Sequence, residues 1–150
     1  MELKSHGLFL GIDPGVSGAM TLIDSDGAIW AILDHRAPDR DCFTWLQRAA
    51  HHIQYAVIEN VHSMPGQGVS SVFKFGTSYG KSLMLLAACN IEYASVTPQV
   101  WQGRLGCMTK GNKNITKQMA QGLWPDHTIT HQIADSMLIA EFARWEVLKD

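Results

Sequence analysis

Three carboxylates in this 150-residue chain stand where an apolar segment ends or is interrupted. Asp13 closes LFLGID, directly ahead of Pro14-Gly15. Glu59 closes YAVIE (residues 55–59) before the loop-forming stretch NVHSMPGQG. Asp135 breaks the run IADSMLIA, where a charged group needs compensation to be tolerated. Carboxylates held a few ångströms apart repel each other unless a proton or a cation intervenes. A hard divalent ion such as Mg²⁺ suits sparse oxygen sites of this kind and keeps some of its waters. His131 precedes Asp135 by four residues and shares its face on a helix, one turn away.

Each acid also has an ordinary explanation. Asp13 suits a turn before Pro14, Glu59 a solvated strand end, and Asp135 the first turn of a helix, where the dipole favours an anion. What distinguishes the readings is whether the elements bring the three together. Residues 8–13, 18–24 and 28–34 read as strands, with Asp26-Gly27 a hairpin signal between the last two. Residues 41–52 have helical spacing, and 55–59 is compact and apolar, as an interior parallel strand should be. A loop or loose helix start over 66–72 leads into a helix over 73–89, whose Gly76, Gly80, Ala87 and Ala88 permit close packing. A last strand over 91–96 precedes helices over 99–105, 115–123 and 130–148, with Thr130 capping the final one.

That order predicts one α/β domain over residues 1–150: a mixed five-stranded sheet, a three-strand meander followed by parallel strands, flanked by helices. If the first and fourth strands are parallel neighbours, Asp13 and Glu59 fall side by side. Trp30, Trp45 and Trp145 are read as core residues. Phe73, Phe75 and Tyr79 are read as core or inter-subunit packing, with Phe73 or Phe75 alternatively reaching a ligand.

The net charge of −2 is unevenly spread. Between residues 60 and 125, Glu92 is the one acid against six bases: Lys74, Lys81, Arg104, Lys110, Lys113 and Lys117. A segregated basic middle is a possible polyanion footprint, or simply a solvated face. Cys42, Cys89 and Cys107 have no CxxC spacing and apolar neighbours, and are expected to be buried free thiols in a reducing compartment. No apolar run approaches the roughly 20 residues needed to span a bilayer. The N-terminal MELKSHGLFLGIDPG is too short and too quickly interrupted for a signal peptide, so a cytoplasmic location is expected.

Four motifs, GIDPGVSGAM (11–20), VIENVHSMPGQGVSSVFKFGTSYG (57–80), VTPQVWQ (96–102) and HQIADSMLIAEFAR (131–144), occur in one order along the chain. On these it resembles the RuvC-type Holliday-junction resolvases of the RNase H-like nuclease group, most of all their short phage and prophage branch. The resemblance implies Asp13, Glu59 and Asp135 as catalytic, metal-binding acids, with Asp13 the bridging ligand. Many members carry a further acid three or four residues before the last Asp; here Gln132 and His131 stand there. His131 is the better candidate for a fourth catalytic and metal-binding residue, because imidazole can ligate a metal or take a proton from water. Two Mg²⁺ ions per active site, with Mn²⁺ able to substitute, would hydrolyse a DNA phosphodiester to leave a 5′-phosphate.

The resemblance further implies branched DNA, especially four-way junctions, as partner, and a homodimer, because a junction has two symmetric scissile strands. Residues 73–89 are the candidate interface, through Gly76, Gly80 and Met84. Arg104, Lys110, Lys113, Lys117, His62 and Lys74 are the candidate DNA contacts. Lys113 best matches the place of a functional lysine, and His62 is placed to stack on a base. Two alternatives from other classes stand beside this reading. One is a junction-binding protein that does not cut, which the missing fourth acid would permit. The other is an actin-like or sugar-kinase ATPase, which would need a second glycine-rich phosphate loop and a longer chain.

Overall fold

A computed structural model describes residues 7–149. Residues 1–6, on which part of the signal-peptide expectation falls, and residue 150 lie outside the described residues. The elements follow the order β1 (Leu8–Asp13), β2 (Ala19–Ile23), β3 (Ile29–Asp34), α1 (Asp39–Ala49), a 3₁₀ turn (Ala50–His52), β4 (Ile53–Glu59), α2 (Val69–Ala88), β5 (Tyr93–Val96), α3 (Pro98–Leu105), α4 (Asn114–Leu123) and α5 (His131–Leu148). The five strands lie in the order β3-β2-β1-β4-β5. β1–β2 and β2–β3 are antiparallel, while β1–β4 and β4–β5 are parallel. The mixed sheet expected from the sequence is therefore the sheet observed. No described helix is long and apolar enough to cross a membrane.

Alternation along the strands divides the core in two. Leu8, Leu10, Ile12, Ala56 and Ile58 face α1 and α2. Phe9 and Val57 face the other way, into a cluster with Trp101 and with Met137, Leu138 and Ala140 of α5. Gly11 lies between Phe9 and Asp13 on this second side. A Cβ there would run into the Ser136 carbonyl and the Ala140 amide, so α5 rests backbone-to-backbone on β1. A buried bond between the Thr21 and Ser136 hydroxyls, 2.8 Å long, anchors the same turn of α5 to β2. With neighbours nearly all round, α5 is buried over its whole middle, from Ser136 to Ala143.

The hairpin turn forms as expected, with Gly27 at φ +86°. Its carbonyl accepts from Trp124 Nε1 at 2.7 Å, and Arg144 donates to the Ser25 carbonyl at 3.1 Å. Several expectations need correction. α2 begins at Val69, within the stretch whose sequence reads as a loop or loose helix start, and its first turns are exposed. α1 starts at Asp39 and gives way to the 3₁₀ turn after Ala49. Thr130 stands at the N-cap of α5, yet its side chain makes no capping bond. Trp30, on the edge strand β3, is 50% exposed, and Trp145 is 40% exposed, its indole N–H donating to buried Glu141 at 2.7 Å. Phe73 is 74% exposed on the outer face of α2. Cys42 and Cys107 are buried free thiols, but Cys89 is only partly covered.

The contact of α5 with β1 leaves no room for a methyl group. Gly11→Ala should cost about 3 kcal/mol, at the upper end for overpacking, because backbone rather than a flexible side chain must move. Urea denaturation measures this directly; a variant as stable as the parent would mean that α5 sits further from β1.

Candidate active site

The pairing of β1 with β4 reaches Ile12 opposite Ile58, which sets Asp13 and Glu59 one step further along two adjacent parallel strands. α5 crosses the same face, and its second turn brings Asp135 to the strand ends. Asp13, Glu59 and Asp135 all line one cavity of about 450 Å³. Lys113, Thr116, His131 and Gln132 share its wall. The remaining lining comes from the Gly15–Gly18 turn. None of the three acids lies on the far side of the sheet.

The turn after Asp13 is compact. Gly15 donates its amide to Asp13 Oδ1 at 3.2 Å, and Gly18 donates to the Gly15 carbonyl at 2.9 Å. A Cβ on Gly18 would strike the Asp13 carbonyl, so the chain folds back tightly beneath the carboxylate. Glu59 Oε2 accepts a 2.7 Å bond from the Trp101 indole N–H. Trp101 is fully buried on α3.

These carboxylates are held against their chemistry. Burial first, and the charge of Asp135 second, push Asp13 up to about 6. Burial and then Asp13 push Glu59 up to about 7, despite the opposing bond from Trp101. Asp135 is also raised by burial, with Thr116, Lys113 and His131 acting against the shift. The acids feel one another electrostatically, as separate surface residues would not.

His131 lies at the exposed mouth, whereas Gln132 is half-buried with its Nε2 enclosed and unpartnered. Among the six candidate DNA contacts, Lys113 is the one bordering the cavity. Arg104 is turned to Glu146 at 2.7 Å, with its guanidinium 6.0 Å from the Phe142 ring centroid. Lys110 is exposed in the loop before α4, at φ +47°. Lys117 is half-buried on α4, while Lys74 on α2 and His62 in the loop after β4 are exposed. Sequence reasoning assigned no role to Trp101, Thr116 or Ser17. Trp101 lies within the VTPQVWQ motif, but its partner Glu59 is 42 residues away and nothing local announces the pairing.

Among the described residues, no group of three His, Cys, Asp or Glu side chains is already arranged to hold a metal ion. The chemistry of the donor set nevertheless fits one. Buried carboxylates that raise each other's pKa are relieved by a hard cation, and the cavity has room for it and its waters.

The sheet order and flanking helices define an RNase H-like fold of the RuvC type. The Thermus thermophilus RuvC structure is similar over 95% of this chain and 96% of that one, with a TM-score of 0.64 and 15% identity. T. thermophilus RuvC in complex with a Holliday junction substrate is similar over 93% and 94%, with a TM-score of 0.63 and 15% identity. No family model matches the chain, and no curated protein matches it.

A raised carboxyl pKa means that the folded state binds protons more tightly than the unfolded one. Its contribution to stability is therefore lost as pH rises through the folded value. For Asp13 the window runs from the ordinary 3.8 to about 6. Asp13→Asn should be more stable than the parent at pH 8 in EDTA, by about 2 kcal/mol, with the gap closing toward pH 4. His35, pushed down to about 4 by burial and Lys81, has the opposite slope. The variant-minus-parent difference cancels it. Urea melts at pH 4, 6 and 8 give that difference; a variant that is no more stable at pH 8 would show that Asp13 is not repelled.

Proposed function

We propose that this chain is a divalent-metal-dependent endodeoxyribonuclease that hydrolyses phosphodiesters at four-way or related branched DNA junctions. The observation that carries the reading is the convergence of Asp13, Glu59 and Asp135 on one cavity beside Lys113. The RuvC-type fold supports it, as does a similar structure holding a Holliday junction substrate. Asp13, Glu59 and Asp135 would hold Mg²⁺, or Mn²⁺ in its place, with His131 and Gln132 at the rim of the site. Two such ions, when bound, lower the pKa of a water and neutralise charge building on the leaving 3′-oxygen.

The chain's own residues supply the rest. The Trp101 indole fixes one oxygen of Glu59 and leaves the other for the site. Thr116 and Lys113 favour the ionised form of Asp135. His131, which lines the cavity at its open mouth, would take a proton from the attacking water. Lys113 positions a phosphate without reading sequence.

Two symmetric cuts call for paired sites, and α2 offers an outward stripe for a second copy. Val69, Phe73, Gly76, Gly80 and Met84 recur on one face, and all are exposed. A junction-binding protein that does not cut is the second reading, favoured by the lack of a ready-made cluster of three ligating side chains among the described residues.

Incubation with Mg²⁺ or Mn²⁺ and mapped cleavage of junction, fork, flap and linear duplex separates the two readings. Paired nicks near the branch, with 5′-phosphate ends, are expected; binding without any cut favours the second. Asp13→Asn and Glu59→Gln should each lower turnover by at least about 10³-fold, about 4 kcal/mol of barrier, with junction affinity kept. Unchanged turnover in either variant removes that residue from the site. Lys113→Ala should weaken junction binding and reduce the slope of log K against log salt by about 1. An unaltered slope would make Lys113 an idle surface residue.

A further inference from the structure

We propose that His35 and Ser78 are positioning residues for Asp13. A one-way relay of hydrogen bonds, from Ser82 to His35 to Ser78 to the Gly15 carbonyl, braces the turn that aims the carboxylate into the cavity. The catalytic consequence rests on the nuclease reading above; the bracing does not.

His35 follows β3 and is only 2% exposed. Its Nε2 lies 2.7 Å from Ser82 Oγ and its Nδ1 lies 3.0 Å from Ser78 Oγ, both on α2. Ser78 Oγ in turn donates to the Gly15 carbonyl at 3.2 Å. A hydroxyl has one hydrogen, and we assign it to the Gly15 carbonyl, which can only accept, whereas Nδ1 can accept or donate. Nδ1 must then carry the proton and donate to Ser78. A neutral imidazole leaves Nε2 as the acceptor, so Ser82 donates to it. Burial and the neighbouring Lys81 keep the ring neutral. The competing acceptor for Ser82, the Ser78 carbonyl, is more distant at 3.4 Å.

The relay ends on the turn that Asp13 depends on. The Gly15 carbonyl already receives the Gly18 amide, and the Gly15 amide bonds Asp13 Oδ1. His35 grips the turn a second time, its own amide donating to the Gly18 carbonyl at 3.1 Å. Lys81 pins the segment from behind, donating to the His35 carbonyl at 2.9 Å and the Ala37 carbonyl at 3.2 Å while paired with Asp39 at 2.9 Å. Asp13 needs this bracing because Asp135 and Glu59 repel it, and one 3.2 Å bond from Gly15 is modest restraint. Helical hydroxyls commonly bond back to their own helix, as Thr77 does to the Phe73 carbonyl at 2.9 Å. Ser78 instead reaches a residue 63 positions away.

Nitrogen NMR of the metal-free protein should find His35 protonated at Nδ1. Ser78→Ala should speed exchange of the Gly18 amide about fivefold, the equivalent of one hydrogen bond. It should weaken Mn²⁺ binding by a similar factor and lower kcat with junction affinity unchanged. Ser78→Thr, which keeps the hydroxyl, should restore all three, and Thr77→Ala should alter none. An Nε2-protonated ring in the parent, which needs no variant to fold, would overturn the relay; so would a Ser78→Ala protein whose Gly18 amide exchanges at the parent rate. If the parent cuts no DNA yet shows the tautomer and the exchange effect, the nuclease reading fails and the relay stands.

Discussion

The missing side chain at Gly11 governs how near α5 can come to β1, and most of the site follows from that distance. Because the two backbones touch at Ser136 and Ala140, the residue just before the contact, Asp135, is carried to the end of the strand that bears Asp13. The same closeness covers α5 nearly all round, which explains why its sequence is apolar on every side through Met137–Ile139 rather than amphipathic. Glu141 on this helix is matched by Arg144 and Trp145, and Glu146 by Arg104, so Asp135 is the acid of α5 that stands out. It is tolerated only because the strand ends open into a polar cavity at that point.

Folding here assembles a site that resists its own formation. Three acids are drawn out of water and toward one another, and the rise of Asp13 to about 6 and Glu59 to about 7 expresses the cost. Several groups offset part of it: the Trp101 indole on Glu59, the Gly15 amide on Asp13, and Thr116 and Lys113 beside Asp135. The Gly15 offset is local, but those on Glu59 and Asp135 come from α3 and from the start of α4, which the fold must bring to the strand ends. Stability is commonly given up at sites whose charges are arranged for a ligand rather than for the free protein.

How much of this was legible in the sequence depended on the range of the signal. The strands were readable because short apolar runs and the Asp26-Gly27 turn are local, and Asp13 and Glu59 because a carboxylate ending an apolar run is visible within six residues. Asp135 was readable as a charge inside an apolar helix. Trp101 on Glu59 and Ser78 on Gly15 were not, since each joins elements dozens of residues apart and neither partner is unusual in its own neighbourhood. The start of α2 was missed for a different reason. Its first turns directly follow a Gly/Pro-rich loop, and their helically spaced Val69 and Phe73 face outward rather than into the core. The same exposure defeats a core reading of Phe73, and the edge position of β3 defeats it for Trp30: side-chain type suggests burial, and only topology decides it.

The basic middle of the chain is less available than its composition implies. Of its six bases, Lys81 is paired with Asp39 and Arg104 with Glu146, and of the other four it is Lys113 that borders the acids. One lysine beside three carboxylates does not by itself attract a phosphate, because the cavity's summed charge repels it. On the nuclease reading, a cation in the site removes that repulsion, and a bound phosphate adds oxygen ligands for the cation. Each must then tighten the binding of the other by the same factor, as linkage requires. A site built this way stays unfavourable to either ligand alone and becomes favourable to both together, which confines its chemistry to the moment when DNA is in place.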